Sequence, residues 1–193
     1  MAKRENNKDA RAGGANVKQT DLPAVSLEQA LRVATGLLND FAGRGAAPHD
    51  VALAIGMSPT SGPWRALCGA SIAYGLTEGG YNADEIKLTS LGRRIVAPQE
   101  EGDDVAAKTE AIVKPRILRE FFQKYDRAKF PQDTIAANVL VGFGLPRGRA
   151  SDAVEMLKEI GRSVGIICDT KNRGTDRTGD APRPSPDDAG FVH

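Results

Sequence analysis

The stretch ALAIGMSPTSGPWRALCGASIAYGLTEGGYNADEIKLTSLGRRIVAP, residues 52–98, carries the clearest structural pattern in the first half of this chain. Its apolar residues recur at helical spacing over about 61–74, and after that the period shortens to the period of strands. Residues 76–89 indicate a strand, a glycine-rich turn and a second strand, and a short helix follows over 90–96. The stretch therefore predicts a helix, a β hairpin and a closing helix.

Two more helices are indicated ahead of this stretch. Ser26 followed by Gln29 has the spacing of a capping box, and six apolar residues then recur at helical spacing. Those residues are Leu27, Leu31, Ala34, Leu37, Leu38 and Phe41. Pro48 begins a second, shorter helix. Backbone N–H groups in the first turn of a helix make no intrahelical hydrogen bond, so a proline there costs none.

The order of these elements resembles that of winged helix-turn-helix domains of prokaryotic regulators. The phrases YGLT at 74–77 and LTSLGRRI at 88–95 stand where that family has the end of its recognition helix, its wing and the helix after the wing. The turn at 57–62 is longer and richer in Pro and Gly than the simplest pattern of the family. The resemblance implies a DNA-binding unit over 23–98 whose third helix enters the major groove.

The second half of the chain repeats this order of elements more weakly. Helices are predicted over 111–125 and 150–164, with a shorter helix from Pro131 between them, and a strand is predicted from residue 166. No return strand follows this one in the pattern. The sequence leaves open whether residues 108–169 form a second winged helix or another helical unit.

Composition divides the chain into two units, a linker and two tails. Residues 99–107 carry four acidic residues around a glycine, which predicts a solvated linker rather than a metal site. Residues 1–22 and 170–193 are polar and lack apolar periodicity, which predicts disordered tails. The predicted fold class is mainly α with a small β wing, as tandem winged-helix-like units over 23–98 and 108–169.

Apolar run lengths and motifs point away from membranes and from catalysis. No apolar stretch approaches the roughly 20 residues that cross a bilayer, and no apolar segment follows the charged N-terminus, so a cytoplasmic protein without a membrane partner is predicted. Cys68 and Cys168 lack the spacing of metal ligands. The chain has no GxxxxGKS, GxxxxGKT, HExxH or GxSxG motif, so we expect no enzymatic activity, no cofactor and no bound metal.

Charge is distributed unevenly between the two units. Residues 26–98 contain six Lys and Arg and six Asp and Glu, whereas residues 108–168 contain eleven and seven, so a polyanion is expected to prefer the second half. Basic or short polar residues at the start of a recognition helix reach phosphates and base edges. The predicted DNA contacts are Ser58, Thr60, Ser61, Arg65 and Lys87 in the first unit and Arg147, Arg149 and Ser151 in the second.

These patterns predict a DNA-binding protein, a transcriptional regulator that binds double-stranded DNA, and a homodimer is expected from the class alone. The alternative interpretation is a protein-interaction adaptor built on winged-helix domains, which the electrical neutrality of the first unit favours. In that case Trp64, Leu67 and Tyr74 are expected to lie on a helix face that packs against a partner protein. A small ligand in the groove between the units is a third possibility with no specific residue to support it.

Overall fold

The structure is a computed structural model that describes residues 17–125 and 129–165. In these two ranges the chain forms eight helices and two short strands. In chain order they are α1 (Leu27–Phe41), α2 (Pro48–Ala54), α3 (Gly62–Ala73), β1 (Thr77–Glu78), β2 (Lys87–Leu88), α4 (Ser90–Val96), α5 (Asp103–Ile112), α6 (Arg116–Lys124), α7 (Asp133–Gly142) and α8 (Arg147–Ser163). The mainly helical class with a small antiparallel sheet is confirmed. None of the helices in the described ranges combines the length and the apolar character that a membrane span needs.

Local sequence signals account for the starts of α2, α3 and α4. Pro48 is the first residue of α2, as predicted. Ser61 caps α3 because its hydroxyl oxygen accepts a hydrogen bond from the Trp64 N–H at 3.2 Å. Thr89 caps α4 in the same way, with the Gly92 N–H at 2.9 Å. These two caps set where the third helix begins and where the hairpin ends.

The capping box predicted at the start of α1 is wrong, although Ser26 does precede that helix. The Ser26 side chain makes no cap hydrogen bond. Its hydroxyl donates to Glu159 Oε1 on α8 at 2.9 Å instead. The fold brings a carboxylate within reach, and a hydrogen bond to an ionised acceptor is stronger than a bond between neutral groups.

The predicted hairpin forms and is tied to the connection between α1 and α2. Strands β1 and β2 pair antiparallel, with Thr77 opposite Leu88 and Glu78 opposite Lys87. Ala46 and Ile86 also form an isolated antiparallel bridge, in which each N–H donates to the other carbonyl, at 3.0 and 2.8 Å. The bridge anchors the hairpin beside α2 and α3.

The single helix predicted over 111–125 is wrong, because Pro115 divides this segment between α5 and α6. Pro115 has φ −66° and ψ 136°, an extended conformation that ends helical hydrogen bonding. A proline also disfavours the helical conformation of the residue before it, here Lys114. Helix α5 therefore ends at Ile112, and α6 begins anew at Arg116.

The second half of the predicted acidic linker is helical. Helix α5 begins at Asp103, inside the segment 99–107. The Asp103 carboxylate accepts hydrogen bonds from Nε and Nη2 of Arg94 on α4, at 2.9 and 2.7 Å. Acidic side chains also suit the first turn of a helix, where the helix dipole is positive. The segment therefore belongs to the fold and joins α4 to α5.

The end of the predicted N-terminal tail packs against the fold, and we call residues 17–24 the N-terminal strap. Leu22 is 2% exposed and belongs to the hydrophobic core. The Asp21 carbonyl accepts a hydrogen bond from the Ile117 N–H at 2.9 Å, and its carboxylate accepts one from Arg116 Nε at 2.9 Å. The tail boundary predicted at residue 22 is therefore wrong, since the start of α6 finds its missing hydrogen-bond partners here.

Three sequence predictions fall outside the described residues. They are the tail over residues 1–16, the strand from residue 166 and the tail over 170–193. These stay predictions.

The hydrophobic core joins the two halves of the chain. One cluster of buried residues lies between α1, α2 and α3 and includes Val33, Val51 and Trp64. A second cluster runs from Leu22 and α1 through α3 and α4 to α8, as far as Ile160. Residues on both sides of the predicted linker therefore pack into one core, which holds α8 against α1.

Candidate nucleic-acid interface

The turn before α3 gathers three of the predicted contact residues, Ser58, Thr60 and Ser61. The first two are exposed, and their hydroxyl oxygens lie 3.4 Å apart. The Ser61 hydroxyl caps α3 and also donates a hydrogen bond to the Ser58 carbonyl at 2.8 Å. Ser61 therefore fixes the start of α3, whereas Ser58 and Thr60 present hydroxyl groups to solvent beside it.

Arg65, in the first turn of α3, lies against the loop of the hairpin. Its guanidinium carbon is 5.1 Å from the centroid of the Tyr81 ring, a cation–π distance. Both side chains are exposed, Tyr81 to 44%. Among the residues that the structure describes, Arg65 has neither a carboxylate partner nor a hydrogen-bond acceptor. The pair thus holds a cation with unengaged N–H donors at the junction of α3 and the hairpin.

Lys87, predicted as a wing contact, is balanced by carboxylates. Its ammonium group pairs with Glu85 at 2.5 Å, and it stands opposite Glu78 in the strand pairing. The hydrogen bond to Glu85 raises the pKa of Lys87, and the negative charges of Glu85 and Glu78 act in the same direction. Asp84 adds another negative charge to the loop. The hairpin is therefore acidic overall, and Lys87 adds little to a cationic surface.

Arg147, Arg149 and Ser151 lie in the first turns of α8, and all three are exposed. The basic turn predicted there is already helical, because α8 begins at Arg147. Within the described ranges neither arginine side chain has an ion pair or a hydrogen bond. Ser151 lines a cavity between α7 and α8 with the carboxylates of Asp133 and Glu155. This acidic setting makes Ser151 a poor phosphate contact, whereas the two arginines remain available.

Several other cations of the second half form ion pairs with carboxylates of the same chain. The Arg116 guanidinium bonds the carboxylates of Asp21 and Glu120, at 2.9 and 3.2 Å. Lys114 pairs with Glu110 at 3.5 Å, one turn earlier on the chain. Such pairs balance the cations locally, so the charge count of the sequence overstates the cationic surface.

The prediction that Trp64, Leu67 and Tyr74 face a partner protein is wrong. Trp64 and Tyr74 are 0% exposed and Leu67 is 4% exposed, so all three belong to the core of this chain. The Tyr74 hydroxyl donates a hydrogen bond to the Val25 carbonyl at 3.1 Å. Helix α3 packs against α1 through this face, and its outward face carries Arg65 instead.

Sequence reasoning also missed the N-terminal strap. Lys18 and Gln19 stand in a polar run with no apolar period, a pattern that predicts a tail. The available signal was Leu22, an apolar residue placed directly before Pro23 and the start of α1. In the fold the strap lies between α3, α6 and α8.

Comparison of the chain with models of protein families, with curated proteins and with solved structures finds no match. The class of the site is therefore inferred from its geometry. An exposed arginine is held by an aromatic ring in the first turn of a helix, beside a β hairpin and two exposed hydroxyl groups. This is a surface able to donate hydrogen bonds to an anionic or polar partner.

Proposed function

We propose that this protein binds double-stranded DNA and acts as a transcriptional regulator, with α3 as the recognition helix and the β1–β2 hairpin as its wing. In this proposal the α1–α4 part is a winged helix. The Ala46–Ile86 bridge supports it because it fastens the hairpin to the loop before α2, and the contact between Arg65 and Tyr81 joins α3 to the hairpin loop.

The observation that carries the proposal is the contact between Arg65 and Tyr81. Residues in the first turns of a recognition helix face base edges in the major groove, and arginine is the commonest reader of guanine there. The Tyr81 ring restrains the guanidinium before binding, so less side-chain entropy is lost when a base or phosphate is engaged. Ser58 and Thr60 supply hydroxyl groups for phosphate oxygens beside it.

The second half adds positive charge rather than a second wing in this proposal. Helices α7 and α8 pack together as a helix-turn-helix pair, and no hairpin follows them within the described residues. Arg147 and Arg149 are exposed there without carboxylate partners in the described ranges. Contacts from these arginines to phosphates strengthen binding without reading sequence.

A protein-interaction adaptor is the second candidate function, and two observations favour it. Ile72 on α3 is 42% exposed and lies near Gly80 of the hairpin loop, and Tyr81, the next residue of that loop, is 44% exposed. The hairpin is also acidic through Glu78, Asp84 and Glu85, which opposes close approach of a phosphate backbone. An adaptor would use this mixed apolar and acidic surface to bind another protein.

The decisive experiment is a fluorescence-anisotropy titration of a labelled mixed-sequence duplex at two salt concentrations. We expect affinity that falls steeply with salt, and Arg65→Ala is expected to weaken binding about tenfold at low salt. The matched control is Lys158→Ala, which removes the same charge from a side chain already bonded to Asp133 and Glu155. Absence of duplex binding at low salt, or equal effects of the two variants, would overturn the proposal.

A further inference from the structure

A cavity of about 350 Å³ lies between the N-terminal strap and the start of α8. Its volume is at the lower end of the range of small-ligand sites. It is lined by Val17, Lys18, Gln19, Leu22, Ala24 and Arg149. Two of these six residues are cations, and none of them is acidic.

The two cations of this cavity have no charge partner in the described part of the chain. Lys18 and Arg149 are exposed, and neither side chain makes an ion pair or a hydrogen bond there. The nearest acidic residue of the strap, Asp21, is bonded to Arg116 and does not line the cavity. Like charges that share one cavity repel each other, and an anion between them removes that repulsion.

Arg149 also lines a neighbouring groove that contains acidic residues. A groove of about 630 Å³ between residues 22–29 and α8 is lined by Arg149 together with the carboxylates of Asp152, Glu155 and Glu159. Arg162 lines the same groove. These carboxylates repel an anion from the groove, whereas the six residues that line the strap cavity include no carboxylate.

The strap also connects this cavity to the outward face of α3. The Gln19 side chain lies so close to Gly69 that a Cβ added at Gly69 would be 3.2 Å from Gln19 Cγ. Gly69 follows Arg65 by about one helical turn, on the same face of α3. The cavity therefore borders the face of α3 that we propose to hold DNA.

We propose that Lys18 and Arg149 bind a phosphate group in this cavity, and that its source is a backbone phosphate of the duplex held by α3. The assignment of the source rests on the proposed function, whereas the phosphate chemistry does not. A lysine on the strap and an arginine on α8 can provide point-charge and bidentate hydrogen-bond contacts to phosphate oxygens. The N-terminal strap is thereby part of the binding surface.

The test begins with inorganic phosphate, which separates the cavity from DNA binding. The ¹H–¹⁵N NMR spectrum of the full chain is titrated with phosphate, with chloride at matched ionic strength as the reference. We expect saturable shifts in the backbone amides of Lys18, Gln19 and Arg149. These shifts are expected to vanish in Lys18→Gln/Arg149→Gln and to persist in Lys124→Gln/Lys129→Gln, which removes two exposed cations elsewhere. Shifts that do not saturate, or that survive in the first variant, would overturn the phosphate site.

The second arm repeats the duplex titration with the same variants. Lys18→Gln/Arg149→Gln is expected to weaken binding about tenfold and to reduce the slope of log affinity against log salt by about one. If phosphate causes saturable shifts but the double variant binds duplex as tightly as the wild type, the cavity does not bind the DNA backbone. Its ligand would then be a free phosphate compound. If the wild-type chain does not bind duplex, the proposed function fails, and the phosphate titration still decides the cavity. If the double variant unfolds, the phosphate titration and the duplex titration are repeated with Lys18→Gln, a single change at an exposed position.

Discussion

The Ser26 hydroxyl donates a hydrogen bond to Glu159 Oε1 at 2.9 Å, and this bond joins the residue before α1 to the last helix of the described chain. A second polar link between the halves connects Asp21 of the strap to Arg116 on α6. Both links lie beside the shared apolar core. The two halves are therefore expected to unfold in one cooperative transition rather than as separate units.

The Ser26 contact gives the first prediction. Ser26→Ala is expected to lower the free energy of unfolding by about 1–2 kcal/mol, because a buried hydroxyl loses its bond to a carboxylate. Gln29→Ala, which would break a capping box, is expected to change it by less than about 0.5 kcal/mol, since no such box forms. Urea titrations followed by circular dichroism measure both. If Gln29→Ala proves as damaging as Ser26→Ala, the Gln29 side chain bonds the Ser26 N–H and the capping box forms after all.

A pair of glycines gives the second prediction. A Cβ at Gly92, in the first turn of α4, would collide with the Leu76 carbonyl oxygen, which also accepts the Thr89 N–H at 3.1 Å. Backbone cannot yield there without loss of that hydrogen bond, so Gly92→Ala is expected to lower the free energy of unfolding by more than about 2 kcal/mol.

The matched control for this glycine is Gly148, in the first turn of α8. Nothing lies within 4 Å of a Cβ added there, so Gly148→Ala is expected to raise the free energy of unfolding by up to about 1 kcal/mol. Thermal melts of both variants provide the comparison. Equal destabilisation by the two changes would contradict the close packing of α4 on Leu76.

Stability at alkaline pH gives the third prediction. Burial raises the pKa of the Cys68 thiol from 9.0 to about 12, and burial followed by the charge of Glu159 raises the pKa of the Tyr74 hydroxyl above its ordinary 10.0. Both groups keep their protons in the folded state while the unfolded chain releases them. Their contribution is thus complete below about pH 9 and is lost as pH rises toward 12.

The measurement is the free energy of unfolding in urea at pH 8 and at pH 10.5. We expect a decrease on the order of 2 kcal/mol, most of it from Cys68, whose ordinary pKa is the lower of the two. Cys68→Ala is expected to flatten this dependence, and Tyr74→Phe is expected to flatten it less. A decrease of the same size in both variants and in the wild type would show that other groups cause it.

The aromatic partner of Arg65 gives the fourth prediction. Tyr81→Ala is expected to weaken duplex binding by about threefold, because an exposed cation–π contact contributes about 0.5–1 kcal/mol to holding the guanidinium in place. Tyr81→Phe keeps the ring face and is expected to stay within twofold of the wild type. Anisotropy titrations at low salt measure the difference.

The double variant Arg65→Ala/Tyr81→Ala tests whether the two residues act together. If the ring works through the arginine, Tyr81→Ala has no further effect once Arg65 is gone. Additive losses would mean that Tyr81 contacts DNA by itself, and a loss in Tyr81→Phe would point to its hydroxyl group.

Where a structural signal is local, the sequence was sufficient. The proline that begins α2, the helical spacing of apolar residues over 61–74 and the change of period after Gly75 predict α2, α3 and the hairpin close to their observed positions. Each of these signals acts between residues a few positions apart, within one turn or one hairpin. Sequence proximity also grouped Ser58, Thr60, Ser61 and Arg65 correctly at the start of α3.

Predictions failed where a partner comes from a distant part of the chain. The hydroxyl of Ser26 bonds a carboxylate on α8, and the polar residues around Leu22 are held by α6. The apolar face of α3 that contains Trp64 is buried by this chain rather than left for another protein. Periodicity identifies an apolar face, but it does not identify what covers that face.

Helices α1 to α4, the hairpin and the position of Arg65 at the start of α3 could be predicted from local sequence patterns, because each depends on short-range backbone preferences. The contact of Arg65 with Tyr81, the cavity that Lys18 and Arg149 share, and the common core of the two halves became visible only in the folded chain. These relationships depend on how helices pack across long sequence separations, where apolar burial and hydrogen-bond partners are set by the whole fold.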